Sequence, residues 1–160
     1  MSLQQSVNQA GLQMIEGVKV TRLSIIETDG GDVLHGMRHT DKGYFGFGEA
    51  YFSMVNTGSI KGWKRHHEMV LNLVVPFGSI RFILYDDRQG SASINQFQQV
   101  TLSRGDNYCR LTVPPMVWAG FQGLDKEASI LLNIASIEHS PEEVDKKKLA
   151  DIKFDWEKNR

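Results

Sequence analysis

Ile80-Arg81-Phe82-Ile83-Leu84-Tyr85, entered through Phe77-Gly78 and left through Asp86-Asp87-Arg88-Gln89-Gly90, is a short strand with a turn at each end. Apolar residues recur at every second position, and β-branched and aromatic types dominate, as a half-buried strand requires. Val18-Lys19-Val20-Thr21-Arg22-Leu23 repeats that alternation upstream. Asp29-Gly30-Gly31-Asp32, Asn56-Thr57-Gly58, Gln89-Gly90-Ser91 and Arg104-Gly105-Asp106-Asn107 punctuate the chain with residues that supply positive φ or side-chain caps. Short β-rich runs between regular turns, with hardly any helical periodicity, predict an antiparallel sandwich or small barrel.

Composition narrows the class further. The 160 residues are 41% hydrophobic and 23% charged, which suits one domain able to bury its own core. Residues 1 to 13 read as a polar, Gln-rich arm and 14 to 160 as a single domain. Eighteen Lys and Arg against nineteen Asp and Glu give a net charge of −1, so no basic field exists to hold nucleic acid. No apolar run is long enough to span a membrane, and the opening residues lack the pattern of a signal peptide. Cys109 is the lone cysteine, which excludes an internal disulfide and fits a reducing cytoplasm. Ser140-Pro141-Glu142-Glu143 places a capping residue before Pro and acids in a first turn, with Lys146-Lys147-Lys148 in the next. That pattern predicts a short C-terminal helix with a solvated lysine face.

Three stretches carry a family pattern. They are Glu49-Ala50-Tyr51-Phe52-Ser53 with Gly58-Ser59-Ile60-Lys61-Gly62-Trp63-Lys64-Arg65-His66, then Gly78 through Arg88, then Asn107 through Phe121 with its Pro114-Pro115 and Gly120-Phe121. In order and spacing they resemble the nucleotide-sugar 3,5-epimerases, the dTDP-4-dehydrorhamnose 3,5-epimerase family, as do the closing Ser140-Pro141-Glu142 and Phe154-Asp155-Trp156. The resemblance implies an all-β, cupin-type antiparallel double-stranded β-helix, or jelly roll. It also implies a homodimer to which the N-terminal part lends a strand. The implied activity is an epimerase or isomerase of a nucleotide-linked 4-keto-6-deoxy sugar, serving surface polysaccharide synthesis and calling for no cofactor.

The departures fall on the reacting groups. Lys64 stands at the family's base position, Leu132 at its proton-donor Tyr, Ala119 at a pocket His, Lys61 at an Arg, and Leu149 near an orienting Asp. Lys64 and His66 lie two apart on one strand and share a face. They resemble the paired His of the related 3,4-ketoisomerases with one member changed. Imidazole changes charge close to neutral pH, so His66 is assigned the proton and Lys64 the positive charge beside the enolate. Lys64 could act as base only if burial lowered it by several units from about 10.4. By the same resemblance Lys61, His35, Glu49 and Tyr51 contact substrate. Metal chemistry is not expected: His66-His67-Glu68 are consecutive, which splits the two His across opposite faces. Cys109 has no recognisable base beside it, and Gly43 through Gly48 lacks the Lys-Ser or Lys-Thr of a phosphate loop, so its aromatics are expected to pack a hairpin or a subunit contact. Two readings stay open: a working enzyme, or a catalytically silent cupin that binds a sugar nucleotide or partner enzyme. In a bland version of either, Trp63 through Glu68 is merely an exposed strand end.

Overall fold

The computed structural model describes residues 14–158, so the N-terminal arm, 1–13, lies outside the described residues. Its twelve strands run β1 (Lys19–Arg22), β2 (Ile25–Ile26), β3 (Val33–Leu34), β4 (Glu49–Val55), β5 (Ile60–His66), β6 (Leu71–Phe77), β7 (Ser79–Tyr85), β8 (Phe97–Ser103), β9 (Cys109–Val113), β10 (Trp118–Gly123), β11 (Ser129–Ala135) and β12 (Val144–Lys146). Two five-stranded antiparallel sheets form, in the orders β1-β9-β6-β11-β4 and β12-β5-β10-β7-β8, with β2 and β3 as a separate hairpin. The two packed sheets are the antiparallel sandwich that the turn spacing predicts, and they form the jelly roll that the family pattern implies.

The alternation in β7 is resolved by having two buried faces. Ile80, Phe82 and Leu84 point between the sheets and meet Leu73, Val75, Leu111, Val113 and Leu131. Ile83 points outward, where Trp63 and Trp118 of the same sheet are covered by Ile152, Phe154 and Trp156 of the C-terminal segment. Arg81 on that outer face is buried because its guanidinium donates to Gln122 Oε1 and to the Trp156 carbonyl, which ties the segment down. At the sharp β6–β7 turn Gly78 has φ +82°, and a Cβ there would stand 2.2 Å from Ser129 Oγ.

The C-terminal helix is a correction. Pro141–Glu143 makes one 3-10 turn and Leu149–Asp151 another, while Val144–Lys146 pairs with β5 as an edge strand. The first-turn pattern is present, but the following residues lack an apolar stripe to bury, and backbone pairing to β5 is the stronger alternative. Asp86, the first acid of the turn after β7, accepts hydrogen bonds from Arg88, Ser91 and Ser93. Burial pushes its carboxyl up, but these donors outweigh that and hold it well below the usual carboxylate range.

Candidate active site

Strand β5 builds one wall of the space between the sheets. Ala119 and Phe121 of β10 pack on the inner core and pair with Lys64 and Lys61, so both lysines face inward. Positions three apart should face opposite ways; a bulge between these two pairs inserts the extra residue on β5 and restores the common face. Lys61 Nζ donates to the Met54 carbonyl at 3.3 Å and stands 5.9 Å from the Phe121 ring centroid. Lys146 pairs with Lys64 across β12 and shares its face. Partial desolvation lowers the Lys64 ammonium from the usual lysine value, and the charges of Lys146 and Lys61 lower it further. Arg65 turns the other way, against Trp118, Asp87 and Asp145.

His66 returns to the Lys64 side by alternation, and its Nδ1 lies 2.6 Å from Glu143 Oε2. Only about a tenth of either side chain is exposed. The second carboxylate oxygen of Glu143 accepts the backbone N–H groups of Glu68 and Met69, at 2.7 and 2.9 Å. Burial raises the Glu143 carboxyl, and these two N–H donors with the His66 ring outweigh it, so the group is held below its usual value. A carboxylate accepting from Nδ1–H leaves Nε2 with its lone pair, the tautomer a base needs. Glu143 escaped sequence reasoning because Ser-Pro-Glu-Glu looks like a helix start; its target lies 77 positions away. His67 is exposed and pairs with Asp145 instead.

The opposite wall comes from β4 and β11. Val55 lies in the inner core, which by alternation turns Ser53, Tyr51 and Glu49 the same way. Asn133 stands on the inner face between Leu131 and Ala135, is 3% exposed, and donates from Nδ2 to Tyr51 Oη at 2.9 Å. Leu132, matched by alignment to the family's Tyr, lies on the outer face; the inward position there is Asn133. Glu49 accepts the backbone N–H of His139 at 3.1 Å, at the strand end. By strand pairing and alternation Lys61, Lys64 and His66 on β5, and Tyr51 and Glu49 on β4, thus all turn toward the space between the sheets. His35 is not among them. It lines a small cleft of about 80 Å³ with Arg22, Arg38 and Asp41, and its carbonyl accepts from Tyr108 Oη. No group of three or more His, Cys, Asp or Glu suited to a metal ion occurs among the described residues. Cys109 is buried, and desolvation pushes its thiol up, the reverse of an activated nucleophile.

Known proteins bear out the architecture. No protein-family model matches the chain. The crystal structure of a dTDP sugar isomerase from Desulfovibrio desulfuricans is 38% identical, with a TM-score of 0.86 over 89% of this chain and 92% of that one. A probable low-salt glycan biosynthesis epimerase of Haloferax volcanii is 28% identical over 101 residues, 62% of this chain and 64% of that protein. The Bacillus subtilis spore coat polysaccharide biosynthesis protein SpsL is 26% identical over 147 residues, 89% of this chain and 97% of that protein.

Proposed function

Because the chain belongs to the dTDP-sugar epimerase/isomerase family of cupin jelly rolls, we propose that it epimerises or isomerises a nucleotide-linked 4-keto-6-deoxy sugar. Proton transfer takes place beside the ketone, and the product feeds a polysaccharide or related glycan. The observation that carries this reading is the His66–Glu143 pair standing beside Lys64 on an inward wall. His66 Nε2 removes the proton from the carbon next to the ketone, and the C–H electrons move into an enolate. Glu143 holds the ring in the required tautomer and offsets the charge the imidazole gains. Lys64, with Lys61 and Lys146 behind it, supplies the positive potential at the enolate oxygen. No cofactor is called for, because the ketone itself acidifies the neighbouring C–H. Lys61, Tyr51 and Glu49 contact the sugar nucleotide. His35 lies outside this space within one chain, so its share in binding rests on the family pattern alone. The protein works in the cytoplasm as a homodimer.

Solvent exchange tests the reading. In heavy water the protein should place deuterium beside the ketone of dTDP-4-keto-6-deoxyglucose or a related keto sugar, read by mass spectrometry. Uptake at two carbons indicates 3,5-epimerisation, and uptake at one indicates single-centre epimerisation or ketoisomerisation. His66→Asn should cut exchange by about 10²- to 10⁴-fold while nucleotide affinity stays within a few fold. A bound substrate that never exchanges would favour the silent binder, a reading to which the Leu132 and Ala119 substitutions lend support.

A further inference from the structure

The face of the first sheet that turns away from the inter-sheet space holds a second gathering of cations. Thr21 of β1 pairs with Arg110 of β9, and Leu111 beside it belongs to the inner core, so Thr21 and Arg110 stand on the outer side. There Thr21, Arg22 and Ser24 from one stretch, and His35, Arg38 and Asp41 from another, line the cleft of about 80 Å³. Backbone bonds hold the two stretches together: the His35 N–H donates to the Ser24 carbonyl at 3.0 Å, and the Leu23 N–H to the Tyr108 carbonyl at 3.0 Å. The Tyr108 hydroxyl closes the link by donating to the His35 carbonyl at 2.8 Å. A single water needs only about 10–15 Å³, so the cleft has room for a group of several heavy atoms.

Charge in this cleft is unbalanced. Residues 35–42 carry Arg38, Lys42 and two histidines against Asp41 alone. Asp41 is already occupied, since its Oδ2 accepts the Arg38 N–H at 3.0 Å and Arg110 Nη1 at 2.8 Å. The Arg38 N–H holds this carboxyl below its usual value against the opposing effect of burial, and the Arg110 guanidinium adds to it. Arg110 is wholly buried; Nη1 also donates to the Gly36 carbonyl, but Nε and Nη2 have no acceptor among the described residues. Leaving a buried guanidinium half satisfied is costly. No hydrogen bond or ion pair engages the Arg22 and Arg38 guanidinia or the His35 ring among the described residues. One occupied carboxylate therefore stands against three guanidinia and an imidazole.

We propose that this cleft is a binding site for a single tetrahedral oxyanion, inorganic phosphate, separate from the place where the sugar nucleotide reacts. Arg22 and Arg38 donate to the phosphate oxygens, and the hydroxyls of Thr21 and Ser24 add neutral donors. Arg110 supplies positive potential from behind Gly36 and Asp41. The site lies on the β1 edge of its sheet, at the far end of the strand order from β4. It does not depend on the keto-sugar chemistry.

Titration of the full chain with inorganic phosphate, followed by calorimetry at about 0.15 M ionic strength, tests the site under conditions that screen loose surface attraction. The wild-type protein should bind one phosphate saturably, and its thermal midpoint should rise with phosphate concentration. Arg22→Gln and Arg38→Gln alter exposed side chains and keep the backbone N–H that holds Asp41, so the midpoint without phosphate should stay in place. Each should weaken phosphate by about 10-fold or more. Saturating dTDP should leave the phosphate affinity unchanged. Absence of binding at millimolar phosphate, or binding seen only at low ionic strength, overturns the proposal. So does equal affinity in the wild-type protein and both variants, which places the anion elsewhere. Displacement of phosphate by dTDP makes the cleft a seat for the nucleotide's own phosphates and overturns the separate site.

Discussion

At the residue scale, the site is defined by how its charges are left. Arg65 is paired with Asp87 and Asp145 on the outer side, and His67 Nε2 lies 3.0 Å from Asp145, whereas no carboxylate pairs with Lys61, Lys64 or Lys146 among the described residues. Partial desolvation, and then the like charges of Lys146 and Lys61, lower the Lys64 ammonium, which makes it easier to deprotonate as pH rises. If Lys64 serves as a cation, activity has an alkaline limb at its lowered value, below the ordinary ~10.4. Removing a neighbouring positive charge relieves the repulsion and raises that value. Lys146→Met should therefore move the alkaline limb of kcat to higher pH. An alkaline limb that stays in place or moves to lower pH overturns Lys64 as the cation that sets it, and an activity that rises as Lys64 loses its proton makes Lys64 the base. Lys64→Arg keeps a charge but should rescue poorly, since a planar guanidinium neither fits the ammonium's place nor gives up its proton.

At the element scale, the short 3-10 turn before β12 does more than join two segments. Glu143 accepts Nδ1–H from His66 and the N–H groups of Glu68 and Met69, so one carboxylate pins the β5–β6 connection and orients the base. Glu143→Gln keeps the size but loses the charge; stability should fall by about 1–3 kcal/mol in urea unfolding, with a reduced kcat. The pH sense follows from the lowered carboxyl: its stabilisation is complete above the unfolded value near 4.5 and is lost as pH falls through the lower folded one. Asp86→Ala should cost about 3 kcal/mol, because it strands Arg88 and two serines, yet leave the exchange reaction of the folded protein intact. The strands, their turns and the Lys64–His66 face were legible because alternation and glycine turns are local signals. The C-terminal helix was misread because pairing of Val144–Lys146 with β5 is a long-range term. The β5 bulge that turns Lys61 inward, and the register that puts Asn133 rather than Leu132 inside, depend on neighbouring strands and leave no mark on spacing. Glu143 was hidden for the same reason.

At the scale of the whole molecule, one sheet face leaves several large apolar side chains exposed, which a homodimer is expected to bury. On the outer face of the first sheet Met54, Ile130 and Phe77 lie in register across three strands, and Phe52 and Leu132 make the next row. The bulge in β6 brings Phe77 to this side. Phe52, Met54 and Phe77 are 68%, 57% and 50% exposed, and Phe45 and Phe47 are exposed on the loop leading into β4. Contiguous apolar surface of this kind marks an interface, and β4, the outermost strand of its sheet, leaves a row of backbone groups open beside it. A second copy of the chain fits the family expectation of a homodimer. Within one chain β1 pairs with β9, and residues 1–13 of the N-terminal part lie outside the described residues, so the sheet face is the surface on which the dimer is tested. Light scattering at micromolar concentration should give twice the chain mass. Phe52→Glu places a charge at the centre of the patch without touching the inner wall and should shift the mass toward the monomer. If the wild-type protein is a monomer at that concentration, the dimer fails. If Phe52→Glu leaves a wild-type dimer intact, the interface lies on another face and this patch is not what closes it.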